Sequence, residues 1–532
     1  MDRVHRATSN PRPPARDTDS SPASTADASS PYPKKPSTSL LGRLGVTFVA
    51  ALTALATSVA LAPPPASGAT TTTVNDPAYA PYDLAVDAPV LIVLGQSNAV
   101  GWSTSITDSA DLAQCNSFAH VKGLKTAQNR VVGALNATWT PYTCAGSNLG
   151  SDRTTSYNAY NTATVTALRW ERAIQAGASL PDLNVIHVAW GSQGVQRFDW
   201  PSDRWWPDRN PSDVESLYQF TLNTISNGLR ALQEAGKRPR IIGMHWNQWE
   251  AEASQKTTVS TSRVQQAFLN VLEPLRTVTG AGTSTPIFLY RPRTTNYDET
   301  ETQHVTEALT GLANRPAPNP YTLIDPALAT TATGTPLYDP SVVKNYGIFN
   351  GDGVHYTRAV HEWFADQQWK SVFTNGRYGA PVAKQVNVAI GRPATQSSTI
   401  APAAKAVDGN TNGVYAVGSV THTDLDANAW WQTDLGASTP INTIKINSRN
   451  DGTDGYRGRS ANASVFVSAT DMTGRSYADL HSDPTVWRYD IPGTPPAQMT
   501  IPVATQGRYV RVQLPGTNYL SLAEVSVYTL RN

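Results

Sequence analysis

LIVLGQSNAVGW, residues 91–102, is the stretch on which the reading of this chain turns. The apolar run Val90–Leu94 carries no charge and stops at Gly95, the pattern of a strand buried on both faces. The polar turn Gln96-Ser97-Asn98 follows at once. A buried parallel strand ending in glycine and then serine presents a hydroxyl at the edge of a sheet, where nucleophiles of acyl transfer are held. Far along the chain, NGDGVHYT (350–357) sets Asp352 three residues before His355. Hydroxyl, imidazole and carboxylate are what covalent acyl transfer requires: an attacking oxygen, a proton acceptor, and a group that orients the acceptor.

Short apolar strands alternate with amphipathic helices on either side of that stretch. Strands are predicted at 89–94, 184–190, 240–246, 287–291 and 321–325, and helices at 164–178, 214–236, 260–275 and 357–373. Leu217, Phe220, Ile225, Leu229 and Leu232 give the second helix its apolar face. This alternation predicts an α/β domain whose mainly parallel sheet is covered on both faces, with functional groups outside the C-terminal strand ends. Polar insertions at 103–160 and 192–213 are expected to form the rim of a cleft. After about Gly379 the pattern changes to short β segments separated by Gly-, Asn- and Asp-rich turns, which predicts a β-sandwich. RYGAPVAKQV (377–386) is the expected linker.

The chain of 532 residues is too long for one ordinary core. Its formal net charge is +1 and 16% of its residues are charged, so no field steers it to nucleic acid. Residues 1–39 are Pro- and Ser-rich and read as a disordered leader. Lys34, Lys35 and Arg43 precede the uncharged run Leu44–Ala62, and 40–69 reads as a signal peptide cleaved after Ala69 or as an uncleaved membrane anchor. Residues 70–87 are then a linker. Export makes a disulfide the natural state of the two cysteines, Cys115 and Cys144, with buried free thiols as the alternative.

Four blocks in order resemble those of SGNH hydrolases, in particular the sialate O-acetylesterase-like carbohydrate esterases. GQSNAVGW (95–102) is similar to the nucleophile block. VAWGSQGVQ (188–196) is similar to the second block, HWNQWEAEA (245–253) to the family's Trp-x-Gln-Gly-Glu-x-Asp segment, and DGVHYT (352–357) to the last. The resemblance spans about 88–376 and implies a flavodoxin-like three-layer α/β sandwich. It implies Ser97 as nucleophile, His355 as base and Asp352 as its orienting carboxylate. The oxyanion would meet the N–H groups of Ser97 and Gly191 and the side-chain amide of Gln248. No metal takes part. Two departures stand out: Trp249 replaces the family's Gly and Glu252 its Asp. Trp102 and Trp249, with Trp200, Trp205 and Trp206, read either as the lining of a sugar cleft or as core. Glu250 and Glu252 read either as loop anchors or as substrate contacts.

The C-terminal run NVAIGRPATQSS (387–398), AVDGNTNG (406–413), WWQTDLG (430–436) and INSRNDG (446–452) resembles the fucolectin-like F-type lectins, a branch of the F5/8 type C, discoidin-like fold. The resemblance spans 387–532 and implies an all-β jelly-roll, galactose-binding-like sandwich. It implies fucose binding by His422, Arg449 and a second arginine, either Arg457 or Arg459, because the spacing is one residue longer than the family's. The family's adjacent cysteine pair is missing. The resemblance also implies a structural Ca²⁺ held by Asp408, Asn410, Ser419 and Glu524, hard oxygen donors suited to that ion.

Together these readings predict a secreted serine esterase that removes O-acetyl groups from an acetylated polysaccharide or glycoconjugate and is held by its lectin domain to a glycan, with a fucose-containing glycan as the candidate, with no nucleic-acid partner and a membrane partner only if the N-terminal segment stays uncleaved. The alternatives are an SGNH esterase or lipase acting on other substrates and a non-catalytic glycan-binding adhesin. A glycosidase has only Glu250 and Glu252 as its outline.

Overall fold

A computed structural model describes residues 82–531 apart from 126–136, 151–157, 196–203, 214–215, 255–258, 298 and 453. The leader, the apolar N-terminal segment, most of the first linker and Trp200 lie outside the described residues. Those described all belong to one compact unit, Pro65–Asn532.

The run containing Val90–Leu94 is β1 (Asp87–Gly95), and every one of its residues is buried. It lies inside a seven-stranded sheet with β2 (Val121–Lys125), β3 (Thr138–Pro141), β4 (Leu183–Ala189), β5 (Arg238–Asn247), β6 (Ile287–Tyr290) and β7 (Tyr321–Ile324), in the order β3-β2-β4-β1-β5-β6-β7. β3 runs antiparallel to β2, and the remaining neighbours are parallel. The helices are α1 (Ser97–Val100), α2 (Ser109–Cys115), α3 (Thr162–Gln175), α4 (Leu217–Glu234), α5 (Glu250–Ala253), α6 (Thr261–Thr279), α7 (Glu299–Ala313) and α8 (Arg358–Trp369).

Successive strand residues face opposite sides of a sheet. Val90, Ile92 and Leu94 accordingly join one core with Phe220, Phe268 and Leu309 of α4, α6 and α7. Leu91 and Val93 join the other with Trp170 of α3 and Ala365 of α8. Because β1 has β4 on one side and β5 on the other, the strand order reverses at β1. That opens a crevice at its C-terminal end, where the Ser97 turn begins. Gly95 is required there: at φ 139° a β-carbon would lie 2.0 Å from the Asn247 carbonyl oxygen.

The insertion 103–160 does more than form a rim. It contributes β2 and β3 to the sheet edge, and Cys115 and Cys144 within it form a disulfide with Cα atoms 5.1 Å apart. Among the described residues no helix is long and apolar enough to cross a membrane.

The C-terminal residues form β8 (Lys384–Asn387), β9 (Ala394–Gln396), β10 (Asp426–Ala427), β11 (Trp430–Ser448), β12 (Ser464–Ser468), β13 (Trp487–Asp490), β14 (Gln498–Gln513), β15 (Thr517–Asn518) and β16 (Leu522–Arg531), with the short helix α9 (Asp454–Gly458). The long strands β11 and β14 pair antiparallel and shift register between Asp434 and Thr439 and between Ile441 and Thr443. These breaks let the strands bend around a core of Trp431, Ile444, Val465, Ile501 and Val525, giving a β-sandwich.

One face of this sandwich is joined to α4 by polar groups. Gln219 Nε2 donates to Thr500 O at 3.3 Å, and Asn223 Nδ2 to Gln498 O at 2.9 Å. Asn227 Nδ2 donates to Gln498 Oε1 at 2.9 Å and Arg230 Nη1 to Tyr528 Oη at 3.1 Å. The buried Lys445 Nζ donates to Asn227 Oδ1 at 2.6 Å. The expected linker is fastened too: Arg240 Nη1 donates to Gly379 O at 2.9 Å, Val382 N to Pro239 O at 2.8 Å and Gln233 Nε2 to Ala383 O at 3.0 Å.

Asn227→Leu leaves Lys445 buried without its acceptor and is expected to lower unfolding stability by about 2–4 kcal/mol. Adding Lys445→Met should recover much of the loss. Urea denaturation of the double-mutant cycle checks this, and strict additivity of the two substitutions would contradict it.

Candidate functional site

The reversal point at β1 gathers four segments. Gln96 caps α1, and Gln96 N donates to Asn247 O at 3.1 Å, so Ser97 opens the helix beside the end of β5. On the other side Trp190 N donates to Gly95 O at 3.1 Å, which brings the 190–195 turn alongside. A β-carbon built on Gly191 would lie 3.6 Å from Ser97 Cβ, so the Gly191 turn borders Ser97.

Asn98 carries the link to the histidine segment. Its Nδ2 donates to Val354 O at 3.0 Å, and its Oδ1 accepts from Tyr356 N at 2.9 Å. The residue after Ser97 thus grips the backbone on both sides of His355. His355 Nδ1 lies 2.8 Å from Asp352 Oδ2. A carboxylate only accepts, so Nδ1 is the donor of this pair and Nε2 is turned to the other side of the ring. Partial burial would raise the Asp352 carboxyl, but the N–H groups of His355 and Val354, the His355 ring and the Ser103 hydroxyl bring it down to about 2.

The 245–253 block lies behind the turn, and here the structure corrects the sequence reading. Gln248 Nε2 lies 3.0 Å from Gln96 Oε1, 2.5 Å from Gln193 O and 3.0 Å from Glu252 Oε2. Both N–H groups of that amide are taken up inside the protein, so Gln248 is a brace and not an oxyanion donor. Trp249 is fully buried in the core, which removes it as a substrate contact. A ring at that position is accommodated inward, behind the turn. Glu250 is likewise internal. Gln96 Nε2 donates to its Oε2 and Asn98 Nδ2 to its Oε1, each at 2.6 Å. Glu252 Oε1 accepts from Val195 N at 2.9 Å. Burial pushes both carboxyls up to about 7, against the Asn98 bond at Glu250 and the Val195 bond at Glu252. The two glutamates are therefore loop anchors, which also removes the outline of a glycosidase.

Trp205 is fully buried against Trp246, with ring centroids 5.0 Å apart, so it is core. Trp102 is 38% exposed and stacks on His355. Asn247 was not singled out in the sequence. It is buried at the end of β5, and neither side-chain amide atom has a partner among the described residues.

A second constellation lies in the β-sandwich. His422 meets the rings of Tyr415 and Tyr519 edge-on, with centroids 5.5 and 5.3 Å away. The Arg449 guanidinium lies 4.4 Å from the Tyr415 ring and 3.9 Å from that of Tyr456. Arg459 lies 4.9 Å from Tyr456 and 4.8 Å from Tyr519. Imidazole, guanidinium and phenol groups therefore alternate around a closed ring of six residues. Each cation–π contact contributes about 0.5–2 kcal/mol, so the ring holds its arginines without a cross-link. Arg449 Nε also donates to Asp451 Oδ2 at 2.5 Å. Burial, then the charges of Arg449 and Arg459, lower the His422 pKa. Of the two rival arginines, Arg459 shares the neighbours of His422 and Arg449, while Arg457 is buried in α9.

Nearby, the Asp408 turn faces Glu524. Gly409 N donates to Glu524 Oε2 at 3.2 Å, and Asn410 N to Asp408 Oδ1 at 2.8 Å. Ser419 Oγ donates to the carbonyl oxygens of Asn412 and Val414. Glu524 is buried and its Oε1 has no hydrogen-bond partner among the described residues. Burial, aided by the Asp408 charge and opposed by the Gly409 N–H, raises its carboxyl to about 7. Among the described residues no three His, Cys, Asp or Glu side chains cluster as metal ligands. This set combines two carboxylates with an amide and a hydroxyl.

Comparison with known proteins speaks to this second domain. Residues 405–512 match the profile described as NedA-like, galactose-binding domain. Fucolectin-6 of Anguilla japonica is 32% identical over 150 residues, which are 27% of this chain and 75% of the relative. Fucolectin of Anguilla anguilla is 28% identical over 151 residues, 90% of its length. A fucose-binding module of Streptococcus pneumoniae is 31% identical, covering 27% of this chain and 99% of that one, with a TM-score of 0.24. The lectin domain of Lectinolysin, solved with Lewis B antigen, is 35% identical over 28% of this chain and 97% of that one, with a TM-score of 0.23. Through its C-terminal domain, the chain belongs to the fucolectin family.

Proposed function

We propose that the chain is a glycan-directed serine esterase of the SGNH type, whose lectin domain binds fucose-containing glycans and whose α/β domain removes small acyl groups from carbohydrate. The observation that carries the catalytic half is the Asn98 bridge: the residue next to Ser97 is bonded to both neighbours of His355, and His355 is bonded to Asp352. In the reaction, Ser97 Oγ bonds to the acyl carbon as the ester C–O bond breaks. The Ser97 proton passes through His355 Nε2 to the departing sugar oxygen. Water then attacks the acyl-enzyme with the same base, releasing the carboxylic acid and restoring Ser97. The N–H groups of Ser97 and Gly191 are the oxyanion donors in this scheme, each worth about 3 kcal/mol of barrier. Acetate release from an acetylated glycan by the native chain and by Ser97→Ala tests the scheme.

A second reading is a glycan-binding protein with a silent α/β domain. It is favoured by the engagement of Gln248 within the protein, which leaves the oxyanion one donor fewer than the resemblance implies. A native chain that binds glycan but releases no acyl group would select it.

For the lectin half, the identity with fucolectins and the His422–Arg449–Arg459 ring support a neutral sugar with vicinal hydroxyls and an apolar edge. Guanidinium forks donate to the hydroxyls and the tyrosine rings meet the edge. Calcium fits beside this site. Glu524, whose Oε2 meets the Asp408 turn and whose buried Oε1 has no hydrogen-bond partner among the described residues, belongs with that turn to an oxygen set suited to a hard cation. Asp408, Asn410, Ser419 and Glu524 would hold it. Calcium at pH 7.5 is expected to raise Tm by about 5 °C or more at saturating concentration. Glu524→Gln should abolish the rise in a thermal melt, and an equal rise in both proteins would remove Glu524 from the set.

A further inference from the structure

The geometry points to Trp102 as the residue that sets the size of the acyl group removed at Ser97, and so to acetyl in preference to longer acyl esters. This rests on the esterase reading above. Trp102 leaves the nucleophile helix with its N–H donating to Ser97 O at 3.1 Å. The next residue, Ser103, has a φ of 62°, and its hydroxyl donates to Asp352 Oδ2 at 2.8 Å. The turn is thus held at both ends by members of the triad, which fixes where the indole goes.

It goes over the histidine. The Trp102 and His355 rings are stacked, with centroids 6.1 Å apart and planes 26° from parallel. The six-membered part of the indole also reaches the second block. The point where a Gly191 β-carbon would stand lies 3.6 Å from Trp102 Cε2 and Cζ2, and 3.6 Å from Ser97 Cβ. The indole thus borders both His355 and the Gly191 turn, and Ser97 borders that same turn.

A tetrahedral centre on Ser97 carries the serine oxygen, the oxyanion, the departing sugar oxygen and the acyl substituent. The oxyanion faces the Gly191 N–H and the sugar oxygen faces His355. The indole spans those two positions, so it closes the space left for the substituent on that side. In this scheme a methyl group is accommodated beside the ring, whereas a propyl group would have to displace the indole from its stack on His355. Trp102 is also part-exposed, on the side where the parent sugar would lie in this scheme.

The test uses the full chain and para-nitrophenyl acetate, butyrate and hexanoate. The native protein is expected to lose about tenfold or more in kcat/KM from acetate to butyrate. Trp102→Ala should lower the rate on acetate and raise it on butyrate, so that the butyrate-to-acetate ratio climbs at least about tenfold. Trp102→Phe, which keeps an aromatic wall, should fall between them, and it serves as the test if the alanine variant does not fold. A merely structural role would lower all rates in proportion. That result, or a native enzyme indifferent to chain length, overturns the assignment. A native chain silent on every ester overturns the esterase reading and the gate with it. An active chain with an unmoved ratio overturns the gate alone.

Discussion

Replacing Ser97 by alanine is expected to cut acetate release from acetylated glycans by at least about a thousandfold, on the order of 4 kcal/mol of barrier, with glycan binding unchanged. The size follows from what the hydroxyl does. Without Oγ there is no acyl-enzyme, and His355 must activate water in a site shaped for a covalent intermediate. Removing a triad nucleophile usually costs more than this, but the remaining oxyanion donors still sustain some hydrolysis. The change should not disturb the fold. The hydrogen bonds that hold the turn come from the Gln96 and Asn98 side chains and from the backbone. Coupled detection of acetate, with thermal melts of both proteins, decides the matter. Equal release by both proteins rules out Ser97 as nucleophile.

Arg449→Ala is expected to weaken binding of a fucosylated oligosaccharide by about a hundredfold, near 2.7 kcal/mol. Arg449 is the best-held member of the ring. It lies against two tyrosines and donates to Asp451, which in turn accepts the Tyr415 N–H at 2.6 Å. Its loss removes a planar donor and also leaves Asp451 without its cation. Arg449→Lys keeps the charge but not the fork, so it should recover little of the affinity. Calorimetry in the presence of calcium provides the measurement. Affinity within about twofold of the native value for the alanine variant would take Arg449 out of the site.

Strands buried on both faces were the easiest elements to read. Val90–Leu94 is a continuous apolar run, and Asn184–Ala189 and Ile241–Trp246 are apolar but for Asn184, His187 and His245, because helices cover both sides of them. The edge strands β2 and β3 were hidden, since VKGLK and TWTP are short and partly exposed and lack such a run. α7 was hidden as well: Val305, Ala308, Leu309 and Leu312 bury one face, but the threonines and glutamates around them dilute the pattern. In the site, residue types and order were legible for Ser97, Asp352 and His355. The direction of a side chain was not. Trp249 and Glu250 directly follow the end of β5, yet both are buried in the interior, where Glu250 accepts from Gln96 and Asn98. Gln248 was misjudged for the same reason, because which acceptors capture an amide depends on contacts between residues far apart in the chain. The second arginine of the lectin was ambiguous by spacing alone. Only the positions of Tyr456 and Tyr519 bring Arg459 to the neighbours of His422.

The row of Gln219, Asn223, Asn227 and Arg230 along α4 has a bearing on how such a protein would work along a polymer. A lectin on a loose leash lets its partner sample any ester within reach. Here a row of hydrogen bonds ties the two domains together, so under the proposed function the bound sugar and the ester would sit a set interval apart. The molecule would act as a gauge, deacylating at a regular offset from each anchoring sugar and leaving a pattern on the chain instead of a random scatter.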